Sequence, residues 1–481
     1  MPAQQNNAAP SLQTMIHTAF GGLNLSAGPT AIGDNEFLGL QNLMPYANGN
    51  LAVVPSPLLL SAPPTGKSIH ALWCQTLATV PYIIVQMTDG SLYFYKQSTN
   101  VWTLIVTGTT VNGLSVTKFQ GSDASGNPEA VLFADTTLGY ASWIAPNTWT
   151  IIDAAKTGQA ICVYSGRVWI AIGQSIVFTS PDGYKDFTLA NGGGSFTPTD
   201  PSMSTPPIQL LVAQNWLYIL GSSIMALNNV QITQIGNTTN SVTTFFVTLV
   251  SSSVGIATPK AAMVYDNTLI VVTNIGVFVY YGLTAQKISK NMGDNFSGSF
   301  YISAATIFGK TVLFLDNGYC FQIEDNRWFN VDFSVLPTWI TQDTQVFDGV
   351  TGYVASATGL YQFAADTATA VACFVHTKLF DAGNASINKQ VTKMGIEFFQ
   401  NQLVNPLNVA PIVTLRYRAD GFINSSRTFT HDNLNGTLNT FIRDTINLID
   451  RYFSMAVYLG APPGTSIGGF FWQFQDSTSW P

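Results

Sequence analysis

The chain has 481 residues, of which 19 are basic and 26 acidic, so 9% of the side chains are charged and the net charge is −7. An average soluble domain has about 25% charged residues. Apolar residues make up 46% and aromatic residues 12%, which excludes a disordered chain because that much apolar surface can offset the entropy of folding. The low, net negative charge also argues against a protein that grips nucleic acid through its phosphates.

The first 67 residues show little strand patterning, and up to residue 66 their only formal charges are Asp34 and Glu36. The opening residues lack the basic and apolar segments of a secretory signal. No apolar run reaches the roughly 18 residues of a spanning helix, so we expect no membrane span. We interpret residues 1–67 as an extended N-terminal arm.

Residues 68–381 repeat one unit, in which an apolar strand, a turn containing glycine and a strand with an aromatic residue follow each other. The turn glycines are Gly90, Gly139, Gly173, Gly221, Gly276, Gly318 and Gly359. Their average spacing of about 45 residues is typical of a four-stranded propeller blade. The pattern predicts an all-β protein with a β-propeller of six or seven blades. A β-sandwich, which needs no strict period, is the alternative for this region.

Two further segments interrupt or follow this repeat. Residues 191–207 form a long glycine- and proline-rich insertion, and we interpret Gly192, Gly193 and Gly194 as part of a gate loop because loops of this kind often carry function. After residue 381 the strands become longer and alternate better, which predicts a C-terminal β-sandwich over residues 382–481. The four cysteines lie apart in apolar strands and are expected to be buried free thiols.

The sequence offers few groups for chemistry. Its four histidines, His17, His70, His376 and His431, have no spacing suited to a metal site, and no phosphate-binding loop or nucleophile motif is present. A loop at 123–129 has alternating oxygen side chains but lacks the paired acids of a calcium loop.

Paired acids from different blades could still form a glycosidase site. The acids at the blade corners are Asp266, Asp316, Glu324 and Asp348. Asp266 and Asp316 precede residues that favour turns, where a carboxylate usually accepts backbone hydrogen bonds. We therefore expect no catalytic residue, no cofactor and no metal.

The N-terminal segment contains the most distinctive pattern. It combines a GGLN sequence, an acidic tripeptide, a later asparagine and a glycine turn, at Gly21, Gly22, Leu23, Asn24, Asp34, Asn35, Glu36, Asn42 and residues 48–51. This pattern resembles the opening of tail nozzle or hub proteins of short-tailed bacteriophages, including the packaged-DNA stabilisation family. Similar motifs follow at residues 166–187, in residues 274–289 around Gly282, Ala285, Ile288 and Ser289, and at Asp420, Gly421, Arg427, Thr428 and Phe429. The sequence departs from the family at Val54 and Pro55, where Arg-Gly is usual.

The resemblance implies a structural virion protein without enzymatic activity, which forms a ring around the DNA exit channel of the tail. It implies a hexameric ring in contact with a portal-side adaptor ring and with tail fibre or needle proteins, assembled in the host cytoplasm. Genomic DNA would pass through transiently and without sequence preference. Gly21, Gly22, Leu23, Asn24, Asp34, Glu36 and Asn42 would form an assembly arm that adds a strand to a neighbour.

Two other functions remain open at this point. A carbohydrate-binding or carbohydrate-active propeller could read glycans through Trp102, Trp143, Trp169, Trp216 or Trp328, although tryptophans in strand patterns are more often core residues. A cell-surface adhesin or layer protein is the third possibility.

Overall fold

We analysed a computed structural model of the full sequence. It describes residues 11–46, 49–234, 241–293, 302–332, 353–363, 371–384, 386–399, 412–419, 422–430, 439–461 and 463–477.

Most of the chain between residues 57 and 363 forms four-stranded antiparallel sheets arranged as propeller blades. Blade 1 consists of β7 (Ile69–Leu77), β8 (Val80–Met87), β9 (Leu92–Lys96) and β10 (Val101–Val106). Blade 2 consists of β11 (Leu114–Phe119), β12 (Ala130–Asp135), β13 (Gly139–Ile144) and β14 (Thr148–Asp153). Blade 3 consists of β15 (Ala160–Tyr164), β16 (Arg167–Ile172), β17 (Ser175–Phe178) and β18 (Gly194–Phe196). Within each blade the strands pair in chain order, which is how a meander of short hairpins builds a sheet.

Blades 4 to 6 repeat the same order. Blade 4 consists of β19 (Gln209–Ala213), β20 (Trp216–Leu220), β21 (Ile224–Gln234) and β22 (Ser241–Ser251). Blade 5 consists of β23 (Ala262–Tyr265), β24 (Thr268–Thr273), β25 (Gly276–Tyr281) and β26 (Thr284–Lys287). Blade 6 consists of β27 (Ile302–Ile307), β28 (Lys310–Leu315), β29 (Tyr319–Gln322) and β30 (Arg327–Asn330). Short 3₁₀ turns also occur in this region, at Gln97–Thr99, Pro259–Ala261 and Lys290–Met292.

The seventh blade joins two distant parts of the chain. β31 (Tyr353–Ser356) and β32 (Gly359–Phe363) pair with each other, and β32 pairs on its other edge with β6 (Pro57–Ser61). Strand β31 in turn contacts β7, the innermost strand of blade 1. The N-terminal strand β6 therefore closes the ring by adding an outer strand to the last blade.

A β-sandwich is built from both ends of the chain. One sheet contains β1 (Gln13–His17), β4 (Leu43–Pro45), β5 (Leu51–Val53), β34 (Lys389–Phe399), β37 (Asn439–Asp450) and β39 (Ser466–Asp476). The other contains β2 (Gly22–Leu23), β3 (Glu36–Gln41), β33 (Val371–Thr377), β35 (Ile412–Ala419), β36 (Phe422–Thr430) and β38 (Phe453–Ala461), and continues into blade 6 where Gln41 pairs with Asn330.

The prediction of an all-β propeller with a C-terminal sandwich is confirmed. The sheet pairing corrects the expected boundaries between these parts, at 67–68 and 381–382. Strand β6 belongs to the propeller, and β33 lies in the sandwich although it precedes residue 382. The domain to which these strands belong is set by the strands they pair with, and the composition of the neighbouring sequence does not reveal it.

Two smaller expectations can also be compared with the structure. All four cysteines are buried thiols outside any disulfide, and burial raises the pKa of the thiols of Cys162, Cys320 and Cys373. In the described part of the chain, no helix has the length and apolar character needed to cross a membrane.

Candidate assembly surface

The residues of the N-terminal motif lie where blade 6 meets the sandwich. Gly22 and Leu23 form β2, which runs parallel to the start of β3, and the N–H of Gly21 donates to the carbonyl oxygen of Asn35 at 2.5 Å. A Cβ on Gly22, whose φ is 100°, would lie 2.9 Å from the carbonyl oxygen of Trp328. Glycine is required here because β2 passes too close to β30 for a side chain.

A hydrogen bond between Asn24 and Glu36 connects the two ends of the loop between β2 and β3. Asn24 Nδ2 donates to Glu36 Oε2 at 2.8 Å, and the N–H of Gly33 donates to the same oxygen at 2.7 Å. Asp34 lies within the loop and forms an ion pair of 2.6 Å with Lys378, just after β33. These contacts hold the loop against the sandwich of its own chain.

Asn42 connects three parts of the chain. Its N–H donates to the carbonyl oxygen of Asn330 in blade 6, and its Nδ2 donates to that of Ala372 in β33, both at 2.8 Å. Its Oδ1 accepts a hydrogen bond of 2.8 Å from the N–H of Asp332, and its carbonyl oxygen accepts one of 3.0 Å from the N–H of Val54. Because Asn42 is buried, these bonds are needed to satisfy its polar atoms.

The structure corrects the interpretation of this segment as an arm that reaches a neighbouring subunit. The described part pairs with β39, β33 and β32 of its own chain, because Phe20, Phe37 and Met44 bury their side chains in its own core. The seven motif residues are brought together, but they form an intramolecular junction. Residues 1–10 lie outside the described residues.

The three glycines of the expected gate loop lie against blade 3, and their role as a gate stays a prediction. Gly194 begins β18, the outermost strand of blade 3, and the carbonyl oxygen of Gly192 accepts a hydrogen bond of 2.6 Å from the buried Arg167 Nη1. A Cβ on Gly193 would lie 2.6 Å from the carbonyl carbon of Phe187. These glycines permit close packing, and the hydrogen bond from Arg167 fixes the segment in place.

Sequence reasoning missed a long hairpin in blade 4. Its strands β21 and β22 have 11 residues each, whereas the outermost strands of the other blades have three to six. No Asp, Glu, Lys, Arg or His occurs between Asp200 and Lys260. The hairpin and the chain on both sides of it are therefore uncharged.

The two faces of β22 differ. The Phe245 ring packs among the aromatic rings of blade 3, with centroids 4.7 Å from Phe196 and 5.7 Å from Trp169. Phe246 and Val242 point to the other face, where they are 66% and 38% exposed. The hairpin therefore presents a neutral face with exposed apolar side chains.

One edge of β22 lacks a strand partner in the described part of the chain. Near its beginning, the N–H of Ser241 donates to the carbonyl oxygen of Ala190 and Thr243 Oγ1 donates to that of Gly192. Proteins usually protect such an edge with charged residues, proline or short length, and β22 has none of these. The open edge and the apolar face make this hairpin the candidate assembly surface.

Three of the four acids considered for an active site are described, and two of these, Asp266 and Asp316, lie in turns between strands. Glu324 Oε1 accepts a hydrogen bond of 2.8 Å from the N–H of Thr311. Asp266, at φ 43°, lies in the tight turn between β23 and β24. In the loop that was compared with a calcium loop, Asp123 Oδ1 accepts the N–H of Asn127 at 2.7 Å. Asp348 lies outside the described residues. Among the described residues, no group of three or more His, Cys, Asp or Glu could hold a metal.

The tryptophans considered for glycan binding are mostly in the core. Trp143, Trp169 and Trp328 are buried, and Trp102 and Trp216 are partly buried. The Trp102 indole donates to Ser61 Oγ at 2.9 Å, so it helps to hold β6 against blade 1.

The sequence matches no protein-family model and no curated protein. Among solved structures, "Structure of U3-55K" is similar over 64% of this chain and 98% of its own length, with 8% identity and a TM-score of 0.40. A likeness of this degree indicates no function for the chain.

Proposed function

We propose that the protein is a structural component of the tail of a short-tailed bacteriophage, where it forms the nozzle or hub ring around the DNA exit channel. It retains the packaged genome and passes it during ejection, and it acts without catalysis. Its partners are further copies of itself, a portal-side adaptor ring, and tail fibre or needle proteins. It assembles in the host cytoplasm and functions in the virion. The N-terminal motif, which resembles that family, supports this assignment.

The observation that carries the proposal is the uncharged hairpin of blade 4. A ring of identical subunits needs a surface that binds a different surface on the next copy. The face of β22 with Phe246 and Val242 supplies apolar contact area, and its open edge supplies backbone groups for pairing. Such a contact depends little on salt, because it involves no ion pairs.

The charge of the molecule supports the passage of DNA. Affinity for duplex DNA comes mainly from neutralising phosphates with Lys and Arg, and this chain has 19 such residues against 26 acids. A net negative conduit would let the polyanion slide without holding it.

The proposal is tested by weakening the hairpin face and measuring assembly by mass photometry. We expect the wild-type chain to form rings, and a V242S/F246S variant to assemble at least tenfold more weakly, because truncating two apolar interface residues costs about 1 kcal/mol or more each. An I151S variant is the control, since Ile151 is 47% exposed on the outer strand of blade 2, and it should assemble like the wild type. A stable wild-type monomer that hydrolyses glycans would contradict the proposal.

A further inference from the structure

A cavity of about 290 Å³ lies where blades 1, 2 and 5 meet at the propeller axis. His70 is the second residue of β7, Leu114 the first of β11, and Lys260 lies two residues before β23. Since these innermost strands run in the same direction along the axis, their starts converge at one end of the ring. Lys260 Nζ donates to the carbonyl oxygen of His70 at 3.3 Å, which links blade 5 to blade 1 across the axis.

The walls of this cavity have two different characters. Its apolar lining residues include Trp73, Ala71, Leu114 and Pro259. Its polar lining consists of side chains that donate or accept hydrogen bonds, namely His70, Gln86, Asn112, Thr258 and Lys260. Among the described residues that line it, Lys260 carries a positive charge and none is an Asp or Glu.

Hydrogen bonds orient the polar side chains. Gln86 is buried, and its Nε2 donates to Thr109 Oγ1 at 2.8 Å and to the carbonyl oxygen of Thr110 at 3.1 Å. His70 Nε2 lies 2.9 Å from Asn112 Oδ1. An amide oxygen can only accept, so we assign the proton to His70 Nε2, which leaves the Asn112 amide nitrogen free to donate elsewhere.

The ionisation of the two basic groups follows from their burial. Burial lowers the pKa of Lys260 to about 8, so the amine is still mostly protonated at pH 7. Burial, followed by the charge of Lys260, lowers the pKa of His70, whereas the hydrogen bond to Asn112 raises it. The cavity therefore holds a partly desolvated ammonium group beside a neutral imidazole, an arrangement in which a bound anion interacts more strongly than it would in water.

We propose that this cavity binds a small organic anion, with its carboxylate or phosphate group on Lys260 and the Asn112 amide and its body against Trp73 and Leu114. The volume is at the lower end of the range for small-molecule sites, which favours a ligand about as large as a single acidic sugar. This site is separate from the assembly surface and does not depend on the tail function.

Isothermal titration calorimetry with the full chain tests the site with three probes, namely glucuronate, glucose 1-phosphate and neutral glucose. We expect one or both anions to bind with one site per chain and glucose to bind at least tenfold more weakly. The two anions distinguish a carboxylate from a phosphate ester. Equal binding of glucose, or no binding of either anion, would overturn the proposal.

Two variants locate the binding. Lys260→Met should reduce the affinity for the anion at least tenfold, whereas K287M, which removes a cation from the outer strand of the same blade, should leave it unchanged. Retention of full affinity by K260M would overturn the assignment. If K260M does not fold, protection of Lys260 from acetylation in the wild-type chain, read by mass spectrometry with and without the anion, decides the question. Absence of protection by a bound anion would then overturn it.

Discussion

The turn glycines of the blades show how one residue type can be required for different reasons. Gly90 and Gly173 both have positive φ, at 78° and 55°. A Cβ on Gly90 would lie 2.3 Å from the carbonyl oxygen of Thr109, whereas a Cβ on Gly173 would meet nothing within 4 Å. Gly173 therefore serves the backbone conformation alone, and Gly90 serves both the conformation and the packing of the next loop.

This difference predicts unequal costs for the same substitution. Gly173→Ala should lower the free energy of unfolding by about 1 kcal/mol, the cost of a left-handed conformation for alanine. Gly90→Ala should cost a further 1 to 3 kcal/mol or so, because the neighbouring loop must move. Denaturant unfolding of the two variants measures this, and equal losses would show that the close approach at Gly90 has no energetic effect.

His17 on β1 is a second residue with a defined physical role. Its ring stacks on Phe380 with centroids 4.3 Å apart, and its buried Nε2 has no hydrogen-bond partner among the described residues. Burial lowers its pKa from the ordinary 6.5, with Asp34 raising it and Lys378 lowering it by smaller amounts. The folded state thus binds this proton less readily than the unfolded state, so the contribution of His17 is fully present above pH 6.5 and is lost as the pH falls through the folded pKa.

We therefore predict that β1 is held less firmly in acid. Hydrogen exchange at residues 13–17, corrected for the intrinsic rate, should increase as the pH falls from 7.5 to 5, by up to about tenfold for each unit that separates the folded and unfolded pKa values. His17→Phe keeps an aromatic ring on Phe380 and should remove this dependence. An unchanged pH dependence in the variant would assign the effect to another group.

At the scale of the elements, the N-terminal strands show where sequence patterns stop being informative. β2, β4 and β5 have only two or three residues each, which is too short for an alternation to be recognised. They are strands because they have pairing partners: β2 pairs with β3, β5 pairs with β39, and β4 and β5 pair with each other. Some of these partners are far away in the sequence, and others are equally short. The sequence of this segment, taken alone, therefore predicts an extended arm.

Two features of the sequence indicate the long hairpin of blade 4. The interval from Gly221 to Gly276 is longer than the average and predicts an extra loop or an imperfect blade. The structure shows instead that β21 and β22 are lengthened. The absence of charge between Asp200 and Lys260 could have indicated this, because a solvent-exposed loop of that length would normally carry some.

At the scale of the whole molecule, the repeated blades and the longer C-terminal strands were predictable, since each has a local pattern. The closure of the ring by β6 was not, because it depends on pairing between Pro57–Ser61 and a strand about 300 residues away. The junction at Asn42 is similar, since its contacts with Asn330 and Ala372 are tertiary. The sequence singles out the motif residues as a group, but their contacts within the chain could be seen only in the structure.

The proposed function requires this chain to form a ring around an open channel. Negative-stain imaging of the purified full chain, alone and mixed with a portal-side adaptor ring, tests it most directly. We expect closed rings of about six subunits with a central hole. V242S/F246S should give few of them, whereas I151S should give as many as the wild type. Single particles without a hole, both alone and with the adaptor ring at micromolar concentration, would contradict it.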